Sequence, residues 1–344
     1  MSKISIIPNA NIISNINSPT SRPIPSVTIP NMSDFALISP TITLPNNNIY
    51  KLDAILSDTN QYTYTYYDYL QDLINIPPIP PTLDLRNNLF PIRNQGPYGS
   101  GTGYAACVII EWQKANIGDY SKYLSPAYIY INRPNGTLNQ GMYLSDACDI
   151  LSNLGTCTDE TFGYSIIDIK TIYKLTPNDI PENAKIEANK YRTSNAVLIK
   201  TIDQLKIALY IHGPCIFGVN VYGWKHAMWV PLDFSNLAYG LKGAHCMTFV
   251  GYNDKGFLVR NSWGVDWNKE YWIEQNIKNS GGYDLLPYDD FKYVNEIWTT
   301  TDISSTIPLT IQSESTSTSI STTIICVIFI IVVIYSIFIS KRGY

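Results

Sequence analysis

The chain has 344 residues, with 24 basic side chains against 28 acidic ones, a formal net charge of −4 and a charged content of 15%. No basic excess points to a nucleic-acid partner, and six cysteines without a CxxC spacing argue against a zinc centre. An apolar content of 45% supports one large globular domain or two halves with sizeable cores.

Residues 1–50 have no clean periodicity. Pro8, Pro19, Pro23, Pro25, Pro30, Pro40 and Pro45 recur among Ser, Thr and Asn, and each removes a donor and restricts its predecessor. The segment reads as a disordered or extended arm. It lacks the basic start and continuous apolar stretch of a signal peptide. A short tyrosine-rich helix is expected around Tyr64–Ile74, followed by the stiff spacer Ile76-Pro-Pro-Ile-Pro-Pro81. Residues 1–81 are therefore set apart as an arm and candidate pro-segment, and a compact domain is expected from Thr82 to Trp298.

Thr102–Ala115 reads as a helix, because Ala105, Val108, Ile109 and Trp112 share one face of a 3.6-residue period. Gly118 suits its end. Ser145–Leu154 repeats the pattern and stops at Gly155. Thr201–His212 is a third helix, with Thr201 and Gln204 at capping-box spacing and Gly213-Pro214 as its stop. Beyond residue 213 the texture becomes β-rich. Cys215–Val221, Cys246–Tyr252, Phe257–Asn261 and Tyr271–Glu274 are short strand-like runs separated by turn signals. A helical first part and a sheet-like second part suggest two lobes with a cleft between them.

Residues 299–319 are rich in Ser and Thr and read as a stalk. The apolar run from Ile324 to Ile339 spans about 24 Å as a helix, so a membrane helix is expected over residues 320–340, with a basic tail at 341–344. Its orientation stays open. Lys341 and Arg342 favour a cytoplasmic tail, whereas the missing signal peptide favours a cytosolic domain.

Among the three histidines, His245 has distinctive surroundings. It heads a strand-like run, and Asn261 follows one hairpin later. An asparagine oxygen on one imidazole nitrogen would fix the tautomer and aim the other nitrogen at a nucleophile. The loop Gly99-Ser-Gly-Thr-Gly-Tyr104 opens the first long helix. Its glycine spacing fits neither a dinucleotide loop nor a P-loop, although a helix N-terminus could still hold a carboxylate or phosphate.

These motifs resemble the papain-like cysteine peptidases (peptidase family C1), in the order Leu83-Asp-Leu-Arg86, Pro91-Ile-Arg-Asn-Gln-Gly96, His245 and Asn261-Ser-Trp-Gly264. The likeness runs from about Leu83 to Trp298. The block 141–164 and the run from Pro287 to Tyr293 look like a divergent microbial or viral branch. The resemblance implies an α+β, two-lobe fold, helical on one side and β-barrel-like on the other, with a peptide in the cleft and no cofactor or metal. It puts Gln95 at the oxyanion hole, His245 at the catalytic histidine, Asn261 at its orienting asparagine and Trp263 over that pair. Tyr98 stands where the family often has a disulfide-bonded cysteine.

One position departs. The family reads Gln-Gly-x-x-Gly-Ser-Cys, and this chain reads Gln95-Gly-Pro-Tyr-Gly-Ser-Gly101. The nucleophile position is therefore Gly101, which cannot form an acyl-enzyme. Ser100, Thr102 and Cys107 are poor substitutes: the first two flank the position at a helix start, and the third lies about 9 Å along the axis. The expectation is a membrane-anchored pseudopeptidase that binds peptide without cutting it. The alternatives are a peptidase using another nucleophile, or descended from a Cys-containing parent, and a structural membrane protein that reuses the fold. Without a thiolate partner, His245 is expected to titrate near an ordinary histidine. Cys148 and Cys157 are the pair most worth testing for a disulfide.

Overall fold

The computed structural model describes residues 41–43, 48–52, 54–116, 122–134, 141–164, 167, 174–221, 243–268, 281–301 and 310–311. The expected membrane run, most of the stalk, Gly118 and the strand expected at 271–274 lie outside them. Among the described residues no helix is long and apolar enough to cross a membrane.

The described chain begins with β1 (Thr41–Thr43) and β2 (Ile49–Lys51), an antiparallel pair, followed by β3 (Ala54–Ile55), α1 (Tyr66–Gln71) and β4 (Leu73–Asn75). The helical part follows β5 (Leu83–Asp84). It comprises α2 (Gly101–Asn116), α3 (Pro126–Ile131), β6 (Met142–Tyr143), α4 (Leu144–Asn153), α5 (Asp159–Phe162) and α6 (Glu182–Ala188). The sheet part comprises β7 (Ala196–Ile199), α7 (Ile202–Ile211), β8 (Cys215–Val221), β9 (Gly243–Tyr252), β10 (Gly256–Arg260), β11 (Tyr283–Pro287) and β12 (Val294–Thr300). A last strand, β13 (Thr310–Ile311), pairs with β4.

Local chemistry sets several boundaries. Ser125 Oγ accepts from Tyr128 N and Pro126 takes the first helical position, so α3 starts there. Thr201 caps α7 through Gln204 N, but the Gln204 side chain reaches Lys200 N rather than the N–H of the cap. The expected capping box is thus only half formed. After α4, Gly155 takes a φ of 76° and its N–H bonds to Ile150 O. A left-handed residue at this point closes the last turn, which is why the helix stops at a glycine. The helix expected at Tyr64–Ile74 is shorter, since the chain becomes extended again at Leu73.

Strands β11-β10-β9-β8-β12-β7 form an antiparallel path, with β5 added on β9. Among the described residues it is an open sheet rather than a closed barrel. Its central strands are apolar on both faces, and the two-residue period divides them between two cores. Val197, Phe217, Met247, Phe249 and Ile297 face one core with α1 and α7. Leu198, Ile216, Cys246 and Trp298 face the other, with α2, α3 and α4. One sheet therefore serves both lobes.

The boundary expected at residue 81 marks no break in packing. Tyr50, Leu52, Tyr66, Tyr69 and Leu70 belong to the same core as the sheet. None of the five cysteines of the described region forms a disulfide, and Cys148 and Cys157 are buried thiols in the helical core.

Candidate active site

Two backbone segments meet in front of α2. Gln95 N donates to Ser262 O at 2.8 Å, Asn94 bridges to Trp263, and Gly264 N donates to Arg93 O at 3.2 Å. Behind them, Arg93 pairs with Glu111 of α2 at 2.8 Å and donates to Leu124 O at 2.8 Å, while Leu124 N donates to Glu111 Oε1 at 2.9 Å. Glu111 is buried and Arg93 partly so, and each charge has a second partner, which such a pair needs to offset its desolvation. The result fixes the 93–95 loop against the start of α2.

His245 lies on β9 and is fully buried. Its Nε2 stands 2.9 Å from Asn261 Oδ1. That oxygen also accepts the Ser262 backbone N–H at 2.8 Å, so it acts as the acceptor and His245 Nε2 carries the proton. The lone pair is then on Nδ1, which has no hydrogen-bond partner among the described residues. Trp263 packs on the imidazole with ring centroids 4.6 Å apart. The orienting contact expected from the sequence is present, and it favours the tautomer with the proton on Nε2.

Gly101 is the first residue of α2. A β-carbon added to it would stand 3.3 Å from His245 Cε1, and 2.9 and 3.3 Å from Gln95 Oε1 and Nε2. Gln95, His245 and the position a side chain at 101 would take therefore lie together. The glutamine amide lies over the space that a side chain at 101 would enter. Gln95 Oε1 accepts from Ser262 Oγ at 2.6 Å and Nε2 donates to Tyr98 O at 3.0 Å, and the residue is buried. Both polar ends of the amide are thus held within the protein.

Burial shifts His245 down to about 4, and the hydrogen bond that it donates to Asn261 offsets this only in part. The expectation of an ordinary titration was too high, because a solvent-free imidazole with no anion beside it resists protonation. Ser100 and Thr102 are buried, yet neither hydroxyl bonds to His245 Nδ1. Burial, first of all, pushes the Cys107 thiol well above its usual range. These three groups lack the geometry or the acidity of an activated nucleophile.

The family model described as papain family cysteine protease matches residues 79–284. The chain belongs to the papain family. Among solved structures, xylellain, a cysteine protease from Xylella fastidiosa, superposes with a TM-score of 0.52 at 22% identity, covering 74% of this chain and 96% of its own. Procathepsin B S9 from Trypanosoma congolense gives 0.49 at 16% identity, covering 65% of this chain and 78% of its own. No curated protein matches the chain. The papain-like α+β fold is common to this chain and xylellain.

Two contributors escaped the sequence reading. Ser262 anchors Gln95, and its place inside Asn261-Ser-Trp-Gly264 was the available signal. Tyr50 stacks on Trp263 with centroids 4.6 Å apart and an interplanar angle of 11°, and its hydroxyl donates to Trp263 O at 3.1 Å. Nothing in its proline- and asparagine-rich surroundings marked it.

Proposed function

We propose that the chain is a papain-family pseudopeptidase, which holds an extended peptide in its cleft and does not hydrolyse it. The observation that carries this reading is glycine at position 101, at the start of α2, where a β-carbon would come within contact range of His245 and Gln95. Papain-family catalysis needs a thiolate there to attack the peptide carbonyl, with His245 as its proton acceptor and Asn261 holding the imidazole. The unpartnered Nδ1 of His245 supports this assignment, since it is the nitrogen such a thiol would meet. Gln95 would be the side-chain donor to the developing oxyanion. Without a side chain at 101 no acyl-enzyme forms. On the same reading, residues 320–340 anchor the protein in a membrane through the stalk at 299–319.

Hydrolysis of a diverse synthetic peptide mixture by the purified full chain, followed by mass spectrometry, tests the proposal. No product above that of a heat-inactivated control is expected. Cleavage that disappears on His245→Ala would contradict it.

A further inference from the structure

Behind Asn261, α2, β9 and the end of β10 leave a cavity of about 10 Å³, room for one water-sized particle and too little for sulfate or phosphate. Its polar wall is made by Arg93, Tyr104, Thr248, Arg260, Asn261 and Ser262, and no carboxylate lines it among the described residues. His245 lies outside that wall. Arg260 is buried on β10. Its Nη1 donates to the Tyr283 hydroxyl at 2.8 Å and its Nη2 to Pro91 O at 3.1 Å, a phenol and a carbonyl rather than a carboxylate. Arg93 has carboxylates to answer its charge, Glu111 at 2.8 Å and Asp159 within electrostatic range. Arg260 acts on Glu111 from further off and forms no ion pair among the described residues.

Asn261 supplies an independent observation. Its Oδ1 is committed to His245 Nε2 at 2.9 Å and to Ser262 N at 2.8 Å. Its Nδ2 is buried and donates to nothing among the described residues, and the side chain lines the cavity. An unmet buried donor and a buried guanidinium without a carboxylate are both costly, and both call for an acceptor in the same place. We infer that the cavity takes one monatomic anion, of which chloride is the common one, held by the Arg260 guanidinium and Asn261 Nδ2. A water molecule would fit the volume but brings no negative charge to Arg260. Bound there, the anion keeps the Asn261 amide turned with Oδ1 towards His245. This inference stands whether or not the cleft binds peptide.

Two measurements on the full chain test this. The first is thermal unfolding with chloride replacing gluconate, an anion too large for the cavity, at constant ionic strength. The midpoint should rise with chloride by at least about 3 °C, as for a ligand that binds only the folded chain. Arg260→Gln removes the charge and should need at least about tenfold more chloride for the same rise. The second is diffraction from crystals grown with bromide in place of chloride. An anomalous peak should stand between the Arg260 guanidinium and Asn261 Nδ2. Equal midpoints in chloride and gluconate would overturn the inference. So would an undiminished chloride effect in Arg260→Gln, which would place the ion elsewhere, or the absence of a bromide peak from the cavity. A bromide peak without any chloride effect on unfolding would mark an adventitious ion only, and the inference would fall. Should Arg260→Gln not fold, the chloride dependence of the native chain and the position of the bromide peak decide the question together.

Discussion

His245 faces Gly101 across the start of α2, and a single β-carbon there would lie 3.3 Å from the imidazole Cε1. The neutral ring has its Nε2 proton committed to Asn261, and burial holds its titration down to about 4. An NMR titration of the full chain should therefore find His245 neutral from about pH 5 upward. A midpoint near the ordinary value of about 6.5 would show that water or an anion reaches the ring.

The same shift gives a stability prediction. The folded value lies below the unfolded one, so the unfolded chain binds the extra proton between about pH 4 and pH 6.5. The contribution of His245 is complete above about pH 6.5 and is lost as pH falls towards about 4, with a full size of about 3 kcal/mol. Denaturant unfolding of the native chain and His245→Gln over this range should show the native chain losing its extra pH dependence in the variant.

Asp284 should act in the opposite direction. It is buried on β11, and desolvation raises its carboxyl to about 8 although Leu285 N and Asn268 stabilise the anion. The folded chain keeps this proton after the unfolded chain has released it, so the contribution is present below about pH 4 and fades as pH rises towards about 8. Asp284→Asn cannot ionise. Between about pH 5 and pH 8 the stability difference should move in favour of the variant by at least about 1 kcal/mol. An unchanged difference would mean that the carboxyl ionises normally.

Tyr50 tests whether the N-terminal segment is part of the folded unit. It is buried, stacked on Trp263 and bonded to its carbonyl. Tyr50→Ala should cost about 3–5 kcal/mol, as for other large buried aromatics, and Tyr50→Phe about 1 kcal/mol. A loss below about 1 kcal/mol for the alanine variant, measured by denaturant unfolding, would show that the segment packs independently of the core.

The parts of the site that chemistry constrains by residue type were legible in the sequence. An imidazole and an amide to orient it could be read as His245 and Asn261, and they meet at 2.9 Å, while Gln95 was named only by the resemblance to the papain-like peptidases. The three long amphipathic helices were legible for a similar reason, since their periodicity is set by burial of one face. Tyr50 was not, because its partner Trp263 lies 213 residues away and its own neighbourhood is broken by proline. The titration of His245 was misjudged because the degree of burial is a property of the packed whole.

The central claim is that this site lacks only its nucleophile. Alkylation by iodoacetamide, mapped by mass spectrometry on the native chain and on Gly101→Cys, tests it most directly. In the native chain the thiols of Cys107, Cys148, Cys157, Cys215 and Cys246 are buried and should stay unmodified while the protein is folded. In Gly101→Cys the new thiol, beside His245 and at the N-terminus of α2, should react readily at about pH 6, where an ordinary thiol with a pKa of about 8.5 is almost wholly protonated. Reaction at position 101 only above about pH 8, or His245-dependent modification of another residue in the native chain, would contradict the account.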